Sequence, residues 1–376
     1  MQQFRALLAA LALAVLPLAN STSAPTSNNE SGPLIIGQVV DLSGPNADFG
    51  RDYSLGAKLY FDATNSSGGI NGRRIVYRTL DSLGSANGGV TAARTLLKEG
   101  TGILFGINGD AVIDAVARDA TVRASDKAIF AAIGGNNQLG SKDGVFYLRA
   151  GTAQEIEAMV AHLAPLGIRN IALASTEEYE REANAVLEDA AKRYGVSIAA
   201  RLRFSIAGDG PALAAQAIAR SKPQAVIVAA DTLAVAQFFK RYRSLDQGAF
   251  LCTTSLVNVR TLTAIIGLPA AHGLIVSQVV PDPASISALT REHKKLMERL
   301  ADEPASYATL EGFVAAKSLV MALRRSRDLS RVGLQQTLQQ EGRFDLGGYE
   351  LNFSKGARGS SFVELTVVGR NGQLLH

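Results

Sequence analysis

Short apolar runs separated by segments of helical spacing repeat along most of this chain, and that alternation restricts it to few folds. The runs fall at residues 34–41, 74–80, 102–106, 128–133, 168–174, 197–204, 225–229, 250–254 and 274–279. After the first of them, Tyr53, Gly56, Tyr60 and Ala63 lie on one face of a helix. Strands separated by helices, without tight hairpin turns, predict βαβ units in a parallel sheet. Strands of such a sheet are covered on both faces and read as continuous apolar runs, as these do.

The ending differs. Residues 284–301, 306–325 and 331–341 predict three successive helices, and 349–353 and 362–368 predict strands joined by "SKGARGS". A Gly/Ser/Thr-rich stretch at 134–152 and "VSQVVPDP" at 276–283 mark places where the chain would cross between halves. With 376 residues, 47% of them hydrophobic, the chain is long enough for two domains. The expected architecture is two α/β halves crossed more than once.

The first residues read as a leader. Arg5 precedes an apolar run at 6–16 and then small polar residues at 20–24, the order of a secretory signal peptide. That run is too short to span a bilayer core of roughly 30 Å as a retained helix. Cleavage after Ser23 is expected, which makes residues 1–23 the signal peptide and the periplasm the destination. Cys252 is the only cysteine, so neither a lipid anchor at the end of the leader nor an intramolecular disulfide is expected. The net charge of +4 comes from scattered basic residues, such as Lys240-Arg241, Lys294-Lys295 and Arg324-Arg325. These suit solvated helix faces better than a phosphate-tracking stripe, so no nucleic acid is expected as a partner. No later segment is apolar for long enough to be inserted in a membrane.

Signatures of catalysis are missing. His162, His272, His293 and His376 have no second histidine or cysteine at metal-ligand spacing, and each reads as a surface histidine. "GSANG" at 84–88 has alanine where a nucleophile elbow needs serine. Gly50 and Gly56 approach the spacing of a phosphate loop, but Ala57 follows the second glycine where lysine is required. No cofactor, no metal and no enzymatic activity are expected. What remains is a set of loops leading from strand ends into helices, among them "GINGDA" at 106–111 and "IGGNNQ" at 133–138. In open parallel sheets ligands bind at such strand ends, where unpaired helix N–H groups can hold polar groups. Glycine and asparagine are also plain turn residues, so each loop taken alone stays open between the two roles.

These residues together resemble a family. "DLSGPNADFGRDYSLGAKLYFDATNSSGGINGRRI" looks like the start of the type I solute-binding proteins of ABC transporters, the leucine/isoleucine/valine-binding-protein family. The likeness continues in "VFYLRAGTAQE", "SYATLEGFVAAKSLVMALRR" and "FDLGGYELNFS" and covers nearly the whole mature chain. It implies two Rossmann-like lobes with mainly parallel sheets, joined by three crossovers. The expected boundaries are 34–150 with 280–353 for one lobe, and 151–279 with 354–376 for the other. It also implies a small ligand held between the lobes and delivery to the permease subunits of an ABC transporter, by a protein expected to be a monomer.

Site residues carry over one at a time. Phe49 takes the family's aromatic position after the first strand. The contacts after the third and fourth strands fall near Asn108, Gly109 and Asp110, and near Gly134, Gly135 and Asn136. Tyr179 matches the aromatic contact of the second lobe, later contacts fall near Asp231 and Thr254, and Tyr307 is a wall residue. There are departures: the first-lobe positions lack the hydroxyls that amino-acid binders offer a carboxylate, and Thr254 stands where leucine-type binders have glutamate. Asp110 and Asp231 also sit where helix N-caps are expected. If both face the cleft, an anionic ligand is disfavoured; if they only cap, a small carboxylate remains open. The expected function is therefore capture of an amino acid, small carboxylate or amide for an importer. The alternatives are a periplasmic sensor and, less favoured, a secreted α/β enzyme.

Overall fold

The computed structural model describes residues 32–135 and 139–376; the leader at 1–23 and Asn136 lie outside the described residues. The first lobe is built on five parallel strands: β1 (Leu34–Val40), β2 (Ile75–Asp81), β3 (Ile103–Phe105), β4 (Ile129–Phe130) and β5 (Val145–Phe146). Their order is β2-β1-β3-β4-β5, with Ile36 paired to Ile103 and Leu104 to Ile129. The second lobe is built on seven: β6 (Asn170–Ser175), β7 (Ser197–Arg203), β8 (Ala225–Ala229), β9 (Phe250–Thr253), β10 (Ile275–Gln278), β13 (Glu364–Val368) and β14 (Leu374–Leu375). Its order is β14-β13-β10-β9-β8-β6-β7; the strands from β7 to β10 are parallel, and β13 and β14 are antiparallel additions. The fold is α/β with two mainly parallel sheets. The sole cysteine, Cys252, lies fully buried in β9, where burial pushes its thiol up to about 12.

A separate hairpin, β11 (Arg343–Asp345) and β12 (Glu350–Asn352), precedes the last passage between lobes. The two strands expected at 349–353 and 362–368 do form, but each pairs elsewhere, with β11 and β10 respectively.

The chain passes between the sheets after β5, after β10 and after β12, and these passages are tied to one another. Tyr147 N–H donates to the Ala357 carbonyl at 2.8 Å, and Gly359 N–H to the Tyr147 carbonyl at 2.8 Å. The Arg358 guanidinium donates to the Arg149 carbonyl at 2.6 Å, and the Tyr349 hydroxyl to the Val279 carbonyl at 3.0 Å.

In the first lobe the Ala47–Ser66 helix packs along the Tyr307–Arg325 helix. Their backbones meet at Gly56, where a Cβ would stand 1.8 Å from the Thr309 carbonyl oxygen. Beside them runs the Ala288–Leu300 helix, and it carries a correction. His293 is not on the surface but completely buried, edge-on to the Phe313 ring at 5.3 Å. Neither ring nitrogen has a partner, and burial lowers its pKa to about 4. No helix among the described residues is long and apolar enough to cross a membrane.

Candidate functional site

The chain leaves β1 at Asp41, whose carboxylate shapes the next turn. Oδ1 accepts from Ser43 N–H at 3.3 Å and from Gly44 N–H at 2.5 Å, and Oδ2 accepts from Asn46 N–H at 2.9 Å. The turn delivers Phe49 in the first turn of the Ala47–Ser66 helix, 4% exposed and stacked on Tyr53 at 6.1 Å.

After β3, Asn108 is buried and Gly109 takes φ +94° as the N-cap of the Asp110–Arg118 helix. Asp110 is thus inside the helix rather than its cap. Its carboxylate accepts from Gly135 N–H at 3.1 Å, tying the loop after β3 to the loop after β4. Gly134 and Gly135 serve this packing: added Cβ atoms would meet Asp110 Oδ1 at 2.1 Å and Thr152 Oγ1 at 1.9 Å.

The second lobe contributes the end of β6 and the first turn of the Glu177–Tyr194 helix. Tyr179 is 8% exposed there. Its hydroxyl is held well above the usual phenol range by burial first, then by the charges of Glu178, Asp110 and Asp231, against the opposing pull of Arg149. Tyr179, Asp110 and Asp231 therefore share one electrostatic neighbourhood. Asp231 does cap a helix, accepting from Ala234 N–H at 2.9 Å. Thr254 is buried with its carbonyl accepting from Val257 N–H at 3.2 Å, and the neighbouring Ser255 reaches the cavity instead. Tyr307 is half-buried, its hydroxyl 3.2 Å from His376 Nε2.

A cavity of about 580 Å³ lies between the lobes. Phe49, Asp52 and Tyr307 wall it from the first lobe; Ser255, Asn258, Arg260 and Gln278 wall it from the second. That volume is in the range of small-molecule sites. Of the expected site residues, Phe49 and Tyr307 line it, whereas Asn108, Asp110, Gly134, Gly135, Tyr179, Asp231 and Thr254 are not in its described lining.

Three sets of contacts bridge the lobes, and the sequence reading missed all of them. Beside the cavity, Arg260 donates to Asp52 at 2.5 Å and Thr261 Oγ1 to Asp48 across the lobes, while Ser306 Oγ, within the first lobe, donates to the same Asp52 oxygen at 3.0 Å. Near Tyr179, the Glu178 carboxylate accepts from the Asp110 N–H at 2.7 Å and the Ala111 N–H at 3.3 Å. Burial raises the pKa of Glu178, these two N–H groups oppose that, and the Asp231 charge adds to it.

The third set is a buried ion cluster. Arg149, 2% exposed, lies 3.2 Å from Glu311 and 3.7 Å from Glu155, and it donates to Ser255 Oγ. Glu155 Oε2 accepts from Ser255 N–H at 2.7 Å and Ser277 Oγ at 2.5 Å. Burial opposes the Arg149 charge, but the two glutamates outweigh it; burial raises Glu311, against the pull of Arg149. Such a cluster costs more to break than it contributes over an apolar replacement. The only local sign of it was "YLRAGTAQE", where an arginine and a glutamate flank a helix start.

Two α/β lobes that share a cavity and bridge across it define a two-lobed ligand-binding protein. A family profile described as periplasmic binding protein matches residues 33–366, and the chain belongs to that family, in its type I, leucine/isoleucine/valine-binding branch. Leu/Ile/Val-binding protein homolog 3 of Brucella melitensis biotype 1 is 32% identical over 74 residues, a stretch covering 20% of each chain. The chain thus spans, in matched sequence, about a fifth of the length of the curated relatives it matches. An extracellular ligand-binding receptor from Verminephrobacter eiseniae superposes with a TM-score of 0.85 at 26% identity, over 92% of this chain and 100% of that one. A substrate-binding periplasmic protein from Ralstonia solanacearum does so with a TM-score of 0.83 at 28% identity, over 91% and 99%. These relatives are named as binding proteins rather than enzymes.

Proposed function

We propose that this chain is the exported solute-binding component of an ABC importer, carried to the periplasm by its cleavable leader. It takes up a small polar metabolite between its lobes and passes it to the permease subunits; amino acids, small carboxylates and amides are the classes to screen. The observation that carries this reading is the 580 Å³ cavity with walls from both lobes. A ligand touching both walls binds the closed form more tightly than the open one and shifts the population toward it. The names of the Leu/Ile/Val-binding relatives support the amino-acid class as a starting point.

The test is a thermal-shift screen on mature protein, unfolded and refolded to strip carried-over ligand. A true ligand at about a hundred times its Kd adds roughly 2.7 kcal/mol of stability. With a ligand found, Tyr179→Ala should weaken binding by about 1–3 kcal/mol if Tyr179 is a cleft contact. Unchanged affinity in the folded variant removes Tyr179 from the site.

A further inference from the structure

We propose that Ser255 and Gln278 form a paired donor and acceptor in the interlobe cavity that recognises a neutral amide group, its carbonyl on Ser255 and its N–H on Gln278. The inference narrows the solute-binding reading and rests on it.

Both residues line the cavity and both are buried, Gln278 at 4% and Ser255 at 7% exposure. Strands β9 and β10 run parallel with Thr253 opposite Val276, and two residues further along come Ser255 and Gln278. Glu155 Oε2 holds the two strand ends together by accepting from Ser255 N–H and from Ser277 Oγ. Neighbouring strands stand about 4.7–4.9 Å apart, a spacing that the edge of one planar amide can bridge.

The surrounding hydrogen bonds fix what each residue offers. Thr366 Oγ1 gives its proton to the Val276 carbonyl at 3.0 Å, so toward Gln278 it can only accept. The Gln278 amide nitrogen donates to it at 3.3 Å, and Gln278 Oε1, on the other side of that amide, meets no donor among the described residues. An acceptor on so buried a side chain is costly to leave unmet, and the cavity is where a donor can reach it. Ser255 is the complement. Its Oγ accepts from the Arg149 guanidinium, while its own proton has no acceptor among the described residues. The charged donor polarises that hydroxyl and strengthens it as a donor in turn.

Charged side chains of the cavity lining already have partners: Arg260 has Asp52 and Glu303, Lys294 has Glu298, and Asp282 has His376. The groups left unspent are the neutral pair. A carboxamide satisfies both. A carboxylate would set a second acceptor against Gln278 Oε1, and an amine would leave the Ser255 proton unmet.

The test uses matched probes on refolded mature protein: benzamide, benzoate and benzylamine; isovaleramide, isovalerate and isoamylamine; butyramide, butyrate and butylamine. Affinities are read by calorimetry on wild type, Gln278→Met and Ser255→Ala. In at least one set the wild type should bind the amide about tenfold more tightly than the carboxylate or the amine. Gln278→Met should weaken both amide and amine about tenfold and spare the carboxylate; Ser255→Ala should weaken the amide by a similar factor and spare the amine. Ser255→Ala also removes a partner of buried Arg149, so if that variant does not fold, Gln278→Met decides alone. A wild type that binds carboxylate or amine as tightly as amide, or an amide affinity that either folded variant leaves unchanged, overturns the inference and leaves the solute-binding reading standing. Silence from all three amides while another compound of the wider screen binds does the same. Silence from every compound overturns the inference together with the small-metabolite reading beneath it.

Discussion

His293 should make this protein lose stability between neutral and mildly acidic pH, and replacing it by leucine should remove that loss. The ring is completely buried with neither nitrogen paired, and burial lowers its pKa from 6.5 to about 4. The native ring therefore stays neutral while the unfolded chain takes up a proton below about pH 6.5. Stability falls as pH drops through that value and levels off only below about pH 4, where the native ring is protonated too. A shift of this size corresponds to about 3 kcal/mol in full, of which roughly 2 kcal/mol is lost by about pH 5. Urea unfolding of wild type and His293→Leu at about pH 7.5 and pH 5 gives the four free energies needed. The wild type should lose roughly 2 kcal/mol more than the variant on acidification. Packing changes caused by leucine are the same at both pH values and cancel, as do the titrations of every carboxylate common to both proteins. Equal acid losses in the two proteins would refute the assignment of a neutral, unpaired imidazole at this position.

Three further outcomes follow from packing and charge. Gly56→Ala drives a methyl into the Thr309 carbonyl and should destabilise by about 1–3 kcal/mol in urea unfolding, since two helix backbones must separate. Arg149→Met strands two buried glutamates and should cost about 3–5 kcal/mol; adding Glu311→Gln should restore part of it, and no restoration would separate Arg149 from Glu311 energetically. Asp231→Ala should lower stability by about 1 kcal/mol through loss of the cap, a loss that Asp231→Asn should largely avoid.

Much of the framework could be read before any coordinates. The run at 225–229 is five apolar residues that become β8 with the same ends, because a strand buried on both faces needs only a continuous apolar stretch. The two-residue strands β5 and β14 escaped notice, since their extended form is imposed by β4 and β13 rather than by local preference. His293 misled because "REHKKLMERL" is mostly charged, and spacing alone did not say that this position points at Phe313. At the site, the local role of Asp231 was legible as a cap. The tie from Asp110 to Gly135 was not, and neither was the contact from Arg260 to Asp52 across 208 positions of sequence. Phe49 and Tyr307 reach the cavity as expected, whereas the partners that bridge the lobes come from tertiary pairing for which the sequence holds no nearby signal.

The placement of Cys252 makes the protein convenient for spectroscopy. Its thiol is fully buried and stays un-ionised at any working pH, so it will not compete for thiol-reactive dyes while the chain is folded. The native background needs no cysteine removed. Cysteines introduced at Arg118 and Lys192, exposed on helices of opposite lobes, would carry a donor and an acceptor at two chosen points. Energy transfer between them would report opening and closing of single molecules directly, with and without each compound of the screen.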